Sequence, residues 1–230
     1  MTKNNIKIAI DGPAGSGKST TARGVAKLLN YIYIDSGAMY RAVTLKAIQL
    51  KIPTSDSDKM VKIAANISIR LKPSHSQTII YMDDENISDL IRTPEVNNQI
   101  NPVAANPGVR KILVKKQQEL GKDGGVVMDG RDIGTVVFPD AELKVYMQAN
   151  AEERAKRRFL EFKSKGISIS LKDVLEEVNT RDKADLSREH SPLKIAADAV
   201  IIDTTDLSIE KQIQKVYELA IKKINELAEK

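Results

Sequence analysis

The residues best suited to chemistry lie near the start of the chain, where the segment at 12–19 reads GPAGSGKS. It fits the pattern G-x-x-x-x-G-K-S, and an apolar run at 6–10 precedes it. In this pattern the glycines let backbone N–H groups surround phosphate oxygens, Lys18 supplies positive charge, and Ser19 offers a hydroxyl to Mg²⁺. A helix beginning there also points its positive end at the phosphates. The segment therefore predicts binding of a nucleoside triphosphate. The predicted phosphate-binding residues are Gly12, Pro13, Ala14, Gly15, Ser16, Gly17, Lys18, Ser19 and Thr20.

Two further segments each place an arginine shortly after an apolar run. They read DSGAMYR at 35–41 and MDGRDIGT at 128–135. A phosphotransferase must hold a second polyanion opposite the triphosphate, and a planar guanidinium binds two phosphate oxygens at once. We therefore expect Arg41 and Arg131 to hold an acceptor phosphate. The alternative is a structural role, in which Arg41 lies on a helix surface and Arg131 pairs with Asp129 or Asp132.

Five short apolar runs predict the strands that position these residues. They are continuous, as is typical of parallel strands buried on both faces, and helical patterns separate them. The runs lie at 6–10, 31–34, 125–128, 143–147 and 199–202. Aspartates stand at the end of four runs, namely Asp11, Asp35, Asp129 and Asp203. Because functional residues gather at the carboxyl ends of strands in an open α/β sheet, these aspartates are candidates for metal or substrate binding.

A different pattern interrupts the α/β alternation between residues 52 and 92. The stretch at 67–72 alternates apolar and polar residues, a turn follows at 73–76, and a second run occupies 78–82. This pattern predicts a small antiparallel hairpin inserted into the parallel fold. Thr93 and Pro94 then predict a helix start, with helix continuing through Gln118.

Helical patterns fill most of the C-terminal third of the chain. We expect helices at 151–166 and 170–180, and a C-terminal helix whose apolar stripe faces the core. The stripe consists of Ile209, Ile213, Val216, Ala220, Ile224 and Leu227.

The composition limits the class of protein. The 230 residues include no cysteine, which excludes disulfides, thiolate metal sites and a cysteine nucleophile and fits a reducing compartment. No stretch reaches the roughly 18 apolar residues of a membrane span, and the first residues do not resemble a signal peptide, so a cytoplasmic protein is expected. The net charge of +5 invites a nucleic-acid partner, but both signs are interspersed, tryptophan is absent and only three phenylalanines are present. We therefore expect no nucleic-acid partner and no membrane partner.

In its motifs the chain resembles the bacterial cytidylate kinases, which belong to the P-loop nucleoside monophosphate kinases. The resemblance rests on the segment at 12–19, DSGAMYR at 35–41, MDGRDIGTVVFP at 128–139, EERAKRR at 152–158 and R-D-x-x-D-x-x-R at 181–188, and it covers essentially the full length. It implies a three-layer α/β P-loop kinase fold with a five-stranded parallel sheet. It also implies one domain over 1–230, made of a core (about 1–60, 94–150 and 190–230), an NMP-binding insert (about 61–93) and a helical lid (about 151–168).

The resemblance further implies ATP-dependent phosphorylation of CMP and dCMP, assisted by Mg²⁺, in pyrimidine nucleotide metabolism. Arg41, Arg131 and Arg188 would hold the monophosphate. The other residues implied at the acceptor nucleotide are Ser36, Asn101, Arg110, Asp132, Arg181 and Asp185.

Chemistry supports several of these implied roles. Arg181 and Asp185 lie one helical turn apart and would contact the ribose. The carboxylate of Asp132 can accept a hydrogen bond from the exocyclic amine of cytosine, and Arg110 can donate to O2 or N3 of the base. Asn101 stands where the family often has a small hydroxyl residue, and because an asparagine side chain can also donate and accept hydrogen bonds, pyrimidine binding is still expected.

Three arginines share one face of the 151–166 helix and are implied as the lid that closes over ATP: Arg154, Arg157 and Arg158. The alternative is a solvated helix in which Glu153 pairs with Arg157. The residues expected to act in catalysis are Lys18, Asp129, Arg131, Arg157 and Arg188. Ser19 would bind Mg²⁺, and Asp35 or Asp129 is a candidate to hold metal-bound water.

No general base is expected, because a phosphate acceptor with a second pKa near 6 is already ionised at neutral pH. Accordingly, neither histidine lies inside a motif. His75 is expected to be exposed in the hairpin turn, and His190 to be structural rather than catalytic.

Two alternatives to a CMP kinase stay open from the sequence. One is a P-loop kinase for another small acceptor, such as UMP or a sugar. The other is a nucleotide-dependent switch or RNA-binding NTPase, for which the acceptor-side arginines have no obvious use. A monomer is expected, since no apolar patch demands a partner.

Overall fold

The computed structural model describes residues 5–73, 78–164 and 166–229, and two sheets organise them. In addition to α-helices and strands, the chain forms a 3-10 turn at Leu90–Arg92 and a π-helical turn at Ile133–Val137. In chain order the elements are β1 (Lys7–Asp11), α1 (Lys18–Leu29), β2 (Ile32–Asp35), α2 (Ser36–Gln49), α3 (Ser57–Asn66), β3 (Ile69–Pro73), β4 (Thr78–Met82), β5 (Glu85–Asn86), α4 (Pro94–Ala105), α5 (Pro107–Leu120), β6 (Val126–Gly130), β7 (Leu143–Gln148), α6 (Ala151–Ser164), α7 (Leu171–Leu186), β8 (Val200–Asp203) and α8 (Ile209–Ala228).

The larger sheet has the strand order β2-β6-β1-β7-β8, and all of its pairs are parallel. The five predicted strands are confirmed within two residues at each end. The register places Asp35 beside Asp129 and Asp11 beside Gly130, so these strand ends adjoin at one edge of the sheet. The phosphate-binding segment thus lies next to both arginine-bearing segments.

Helices cover both faces of this sheet, which explains why its strands are continuously apolar. On one face α1 and α8 pack through Val25 and Val216 against β1 residues such as Ile8 and Ile10. On the other face the π-helical turn packs through Ile133 against β6 and Ala9 of β1. The result is the predicted three-layer α/β arrangement.

The smaller sheet is antiparallel, with the order β3-β4-β5. The predicted hairpin is confirmed, and β5 is an additional short strand that only two residues form. Ile80 and Met82 of β4 are buried in a core shared with α2 and α3, which attaches the hairpin to the main body. The turn residues 74–77, including His75, lie outside the described residues.

The single helix predicted from Pro94 to Gln118 is instead two helices. Thr93 caps α4 as predicted, accepting the N–H of Val96 at 3.4 Å. The break falls at Asn106, whose side chain accepts the N–H groups of Gly108 and Val109, with Pro107 at the first position of α5. An asparagine cap followed by proline is a helix-start signal, so the residues themselves account for the break.

The remaining helices differ from expectation mainly at their ends. The helix predicted over 170–180 is confirmed, with Ser170 as its cap, but α7 continues to Leu186 and carries the R-D-x-x-D segment within its last turns. In α8, Val216 and Ala220 are buried, whereas Ile209 at the first position is exposed. None of the helices in the described part of the chain combines the length and apolar character that crossing a membrane requires.

Candidate active site

A cleft of about 830 Å³ opens at the carboxyl ends of β1, β2 and β6. It gathers most of the predicted residues from the phosphate-binding segment, both arginine-bearing segments and α7. The predicted residues that line it are Ala14, Gly15, Gly17, Lys18, Ser19, Thr20, Asp35, Ser36, Arg41, Arg110, Asp129, Arg131, Asp132, Arg157, Arg158, Arg181, Asp185 and Arg188. Donor-side and acceptor-side residues therefore face one shared space.

The phosphate loop, residues 12–19, has a backbone that glycine permits. Gly15 and Gly17 have φ of 77° and 88°, which side-chain-bearing residues rarely adopt, and Gly17 is the residue before α1. Lys18 is buried, and its Nζ donates to the carbonyl of Pro13 at 3.0 Å. Three predicted loop residues are buried in the body of the loop and do not line the cleft: Gly12, Pro13 and Ser16.

Burial, together with the positive charge of Arg131, lowers the pKa of Lys18 to about 7. A bound polyphosphate favours the ammonium form. We therefore expect ATP binding at about pH 8 to take up close to one proton, and ATP affinity to fall as the pH rises above this pKa. ATP is itself fully ionised there, so the proton goes to the protein.

Calorimetric titration of ATP in two buffers with different ionisation enthalpies measures this proton uptake. The variant Lys18→Met is the control and is expected to take up no proton at this site. Equal binding heats for the unsubstituted protein in both buffers would contradict the prediction.

Asp129 connects the donor loop with the acceptor side. Its carboxylate accepts the hydroxyl of Ser19 at 2.7 Å and the phenol of Tyr33 at 2.8 Å, and its main-chain carbonyl accepts the hydroxyl of Ser36 at 2.6 Å. Burial raises the pKa of Asp129, and the negative charge of Asp35 adds to the rise. Asp129 thus contacts the donor loop through its carboxylate and Ser36 of the acceptor side through its main-chain carbonyl.

Ser19 and Asp129 fit the chemistry of a magnesium site. Mg²⁺ prefers oxygen ligands and is held by one or two carboxylates together with substrate phosphates. The hydroxyl of Ser19 and the carboxylate of Asp129 supply such oxygens next to the phosphate loop. Asp35 is already engaged, because it caps α2 at the N–H of Ala38 and accepts from Arg92 at 3.3 Å. Asp129 is therefore the better-placed carboxylate.

Asp185 holds two of the predicted phosphate-binding arginines. Its carboxylate accepts Nε of Arg131 at 2.6 Å on one oxygen and the guanidinium of Arg188 on the other. Burial acts to raise the pKa of Asp185, but these two guanidiniums hold it below its ordinary value. The structural alternative had Arg131 pairing with Asp129 or Asp132, and neither is its ion-pair partner. Asp185 instead orients Arg131 and Arg188 within the cleft.

Arg41 and Arg181 make few contacts with carboxylates. Arg41 donates to the side-chain oxygen of Asn97 at 3.5 Å, and the Nε atoms of Arg41 and Arg181 are buried without a partner among the described residues. Burial and the charges of Arg131 and Arg41 lower the pKa of Arg181 to about 9. Crowded guanidiniums of this kind are stabilised when a polyanion binds between them.

Arg110 and Asp132 form a buried ion pair, with exposed side-chain fractions of 5% and 7%. Arg110 also donates to the carbonyl of Ala104 at 3.1 Å, and its guanidinium carbon lies 5.4 Å from the ring centre of Tyr40. Such stacking is a favourable cation–π geometry. The pair and the tyrosine present hydrogen-bonding groups and an aromatic edge on one wall of the cleft.

Arg154, which is predicted to contact phosphate, lies outside the cleft lining, and that contact stays a prediction. Arg154 is buried and does not line the cleft; it makes two hydrogen bonds to the carboxylate of Asp182, at 3.1 and 2.6 Å, and also donates to the carbonyls of Ala14 and Ala149. Helical spacing correctly groups Arg154 with its two neighbours on α6, but residue 154 belongs to the first turn, which is seated on the phosphate loop. Protein groups within the described residues accept four hydrogen bonds from its guanidinium.

Arg157 and Arg158 do line the cleft, and both also have protein partners. Arg157 donates to the carbonyls of Thr204 and Thr205 at 2.5 and 3.2 Å and lies 3.5 Å from Glu153, so the pair of the solvated-helix alternative also exists. Arg158 contacts Glu177 of α7 at 2.7 Å.

Asn101 also departs from its predicted place. It is exposed on α4 and does not line the cleft, whereas Asn97, Ile100 and Ala104 of the same helix do. The prediction matched Asn101 to a family position without knowing the rotation of α4. This rotation turns the neighbouring residues toward the cleft instead.

Sequence reasoning missed several residues that line the cleft, notably Arg23, Tyr40 and Arg92. Tyr40 lies inside the DSGAMYR segment, and Arg23 follows Ser19 by one helical turn of α1, so both had a positional signal. Arg92 had none, because it belongs to the 3-10 turn between the hairpin and α4. His190 is exposed and stands apart from the cleft lining.

Comparisons with known proteins agree with this geometry. The sequence profile described as cytidylate kinase matches residues 8–223. A cytidylate kinase from Bacillus anthracis (strain CDC 684 / NRRL 3495) is 48% identical over 216 residues, covering 94% of this chain and 96% of its own length. A cytidylate kinase from Bacillus thuringiensis (strain Al Hakam) is 49% identical over 211 residues, covering 92% of this chain and 94% of its own length.

A solved shikimate kinase from Bacteroides thetaiotaomicron has a TM-score of 0.50 at 12% identity, covering 94% of this chain and 98% of that one. At this identity the likeness concerns the fold alone, and it is the fold of a P-loop kinase. The sequence matches extend over nearly the whole chain and include every segment that builds the cleft. The chain therefore belongs to the cytidylate kinase family.

Proposed function

We propose that the protein transfers the γ-phosphoryl group of ATP to CMP and dCMP, giving ADP and the corresponding diphosphate. Membership in the cytidylate kinase family supports this reaction. The observation that carries it is the arginine cluster of the cleft, in which Arg41, Arg131 and Arg188 line the same space as the phosphate loop and Asp185 holds two of them. A triphosphate site alone has no use for a second set of phosphate-binding arginines.

In the proposed reaction an oxygen of the acceptor monophosphate attacks the γ-phosphorus of ATP. The new P–O bond forms as the bond to the β-phosphate oxygen breaks, and ADP leaves with that electron pair. No proton has to be removed, because the acceptor phosphate is already ionised. Positioning and charge neutralisation are then the main sources of rate, since the transition state is loose.

The residues divide this work by their place in the cleft. Backbone N–H groups of the phosphate loop and the ammonium of Lys18 bind the donor phosphates. Arg41, Arg131 and Arg188 orient the acceptor phosphate, and Arg157 adds positive charge from α6. Ser19 and Asp129 would hold Mg²⁺, which supplies charge neutralisation at the donor phosphates when bound.

We propose that the Arg110–Asp132 pair reads the base. The carboxylate can accept from the exocyclic amine that cytosine carries and uracil lacks, and buried polar groups left unpaired by the wrong base disfavour it strongly. Arg181 and Asp185 are proposed to lie at the ribose; both carboxylate oxygens of Asp185 also orient arginines.

The proposed organisation follows from the same family. The core spans about 1–60, 94–150 and 190–230, the hairpin region 61–93 is the NMP-binding insert, and 151–168 is the lid. Closure of insert and lid over both nucleotides would exclude water from the transfer. A monomer working in the cytoplasm, within pyrimidine nucleotide metabolism, completes the proposal.

A coupled assay of ADP release across CMP, dCMP, UMP, AMP and shikimate tests the function. We expect CMP and dCMP to be turned over with kcat/KM about 5- to 150-fold above UMP, since a well-placed base contact discriminates by about 1–3 kcal/mol. Faster turnover of a non-cytidine acceptor would replace the substrate. Slow hydrolysis unaffected by every acceptor, together with salt-dependent RNA binding, would instead favour a switch or RNA-binding NTPase.

A further inference from the structure

The arginine that the cleft does not use, Arg154, joins three parts of the protein. Its Nη1 donates to the carbonyl of Ala14 in the phosphate loop at 3.1 Å, and its Nε donates to the carbonyl of Ala149 after β7 at 3.0 Å. Asp182 of α7 receives the guanidinium in a two-point contact at 3.1 and 2.6 Å. Exposed side-chain fractions are 6% for Arg154 and 20% for Asp182. A charged group so deeply buried is held only with such partners.

The first turn of α6 is pressed directly onto the phosphate loop. An ideal Cβ placed on Gly15 would lie 3.0 Å from both the Cβ and the carbonyl oxygen of Arg154. The loop and residue 154 are therefore in backbone contact, in addition to the hydrogen bond at Ala14. A displacement of the Arg154 side chain would therefore change the position of the phosphate loop.

Helices α6 and α7 form one packed unit. Ala155 packs with Val174 and Val178 in a small core of their own, and Arg158 contacts Glu177 across the same interface. Asp182 stands on α7 between Arg181 and Asp185, which line the acceptor part of the cleft. Through Arg154, the contact with Asp182 thus connects α7, which carries the acceptor residues, to the phosphate loop.

We propose that Asp182 is a positioning residue for phosphoryl transfer, which acts through Arg154 to align the phosphate loop with α7. Asp182 touches no substrate in this assignment, and Arg154 is removed from the set of phosphate ligands. The inference rests on the proposed function, because alignment matters where a donor at the loop must meet an acceptor held by α7. Misplacement of reacting groups by about 1 Å can cost about 100-fold in rate.

The test compares Asp182→Asn with Glu176→Gln in the full chain. Glu176 is exposed on the same helix. Its substitution removes one carboxylate, as Asp182→Asn does, but leaves the Arg154–Asp182 contact intact. We expect Asp182→Asn to lower kcat for CMP by about 10- to 100-fold, with equilibrium dissociation constants of ADP and CMP, each measured alone, within about threefold of the unsubstituted protein. Glu176→Gln is expected to match the unsubstituted protein. An unchanged kcat, or binding of both nucleotides weakened as much as kcat, would overturn the proposal.

A double-mutant cycle separates positioning from direct phosphate binding. Arg154→Lys keeps the charge but loses the fork, and it should reproduce the kcat effect of Asp182→Asn. Because both changes break one contact, the double variant should be no slower than the slower single variant. Additive losses would mean that Arg154 acts on the nucleotide by itself, and the proposal would fail.

A spectroscopic arm works without any turnover of CMP. In the ¹H–¹⁵N spectrum of the free protein, the amide of Gly15 belongs to the same peptide unit as the carbonyl of Ala14. We expect this signal to move in Asp182→Asn and to stay in place in Glu176→Gln. An unmoved signal in both variants overturns the inference even if the enzyme is active. An inactive unsubstituted protein would instead overturn the proposed function, and this arm would still decide on Asp182.

Discussion

Replacing Arg131 by alanine is expected to lower kcat/KM for CMP by about 10³- to 10⁵-fold, the range found when an arginine that neutralises a transferring phosphoryl group is removed. Arg131 projects from the end of β6 beside Asp129, and Asp185 fixes its Nε while leaving further guanidinium donors for an anion. Arg188 retains its contact with Asp185, so that carboxylate does not lose every partner. Steady-state kinetics with saturating ATP measure the effect.

Two variants control this experiment. Arg131→Lys keeps the charge but not the planar fork, so it should recover only part of the loss. Lys223→Ala removes a partly exposed cation of α8 that pairs with Glu226 at 3.7 Å and does not line the cleft, and it should leave kcat/KM unchanged. If Arg131→Ala retains the full kcat/KM for CMP with an unchanged fold by circular dichroism, the acceptor assignment is wrong. Arg41→Ala tests the same assignment from α2.

The largest loss of stability is expected from Asp132→Ala. This change leaves the guanidinium of Arg110 buried without its carboxylate, and breaking such a pair costs about 3–5 kcal/mol of the free energy of unfolding. For a chain of this size each kcal/mol corresponds to about 2–4 °C in Tm. Urea unfolding and thermal melting of the free protein measure it, and a loss below about 1 kcal/mol would contradict the prediction.

The double variant Arg110→Met/Asp132→Leu separates stability from recognition. Replacing a buried ion pair with apolar groups of similar size is often neutral or stabilising, so much of the lost stability should return. The preference for CMP over UMP should not return, because neither replacement can hydrogen-bond to a base. A double variant that keeps this preference would remove the pair from base reading.

Much of the fold could be predicted because its signals are local. The five strands are continuous apolar runs, four of which end in aspartates, and a parallel sheet covered on both faces requires such runs. The phosphate loop was equally accessible, since its glycines, Lys18 and Ser19 have a fixed spacing. The break at Asn106 is equally local, because Asn106 followed by Pro107 is a helix-start signal. The single helix predicted through Gln118 is wrong at this point.

Helical spacing shows which side chains share a face of a helix, but it does not encode the direction in which that face points in the folded protein. Arg154 shares a helix face with Arg157 and Arg158, yet contact between α6 and the phosphate loop turns its donors toward Asp182 and Ala14. Asn101 likewise does not line the cleft, because the rotation of α4 turns neighbouring residues toward it. Arg92 lines the cleft because the core of the hairpin packs against α2. This tertiary contact cannot be predicted from the sequence of either segment alone.

The order β2-β6-β1-β7-β8 has a consequence for how new specificities arise in such proteins. The acceptor segments at 35–41 and 128–135 follow β2 and β6, on one side of β1, whereas α6 and the segment after β8 lie on the other. The acceptor segments after β2 and β6 are therefore separate from the donor loop on a common sheet, but α7 and the residues directly after it, which follow β7, also bring Arg181, Asp185 and Arg188 to the acceptor part of the cleft. Exchange of the acceptor segments would redirect the enzyme while leaving the nucleotide-triphosphate half intact. Asp129 lies at the boundary between the two sides: its carboxylate accepts the hydroxyl of Ser19, whereas Ser36 donates only to its main-chain carbonyl, so an exchanged segment has to keep an aspartate here for the contact with Ser19.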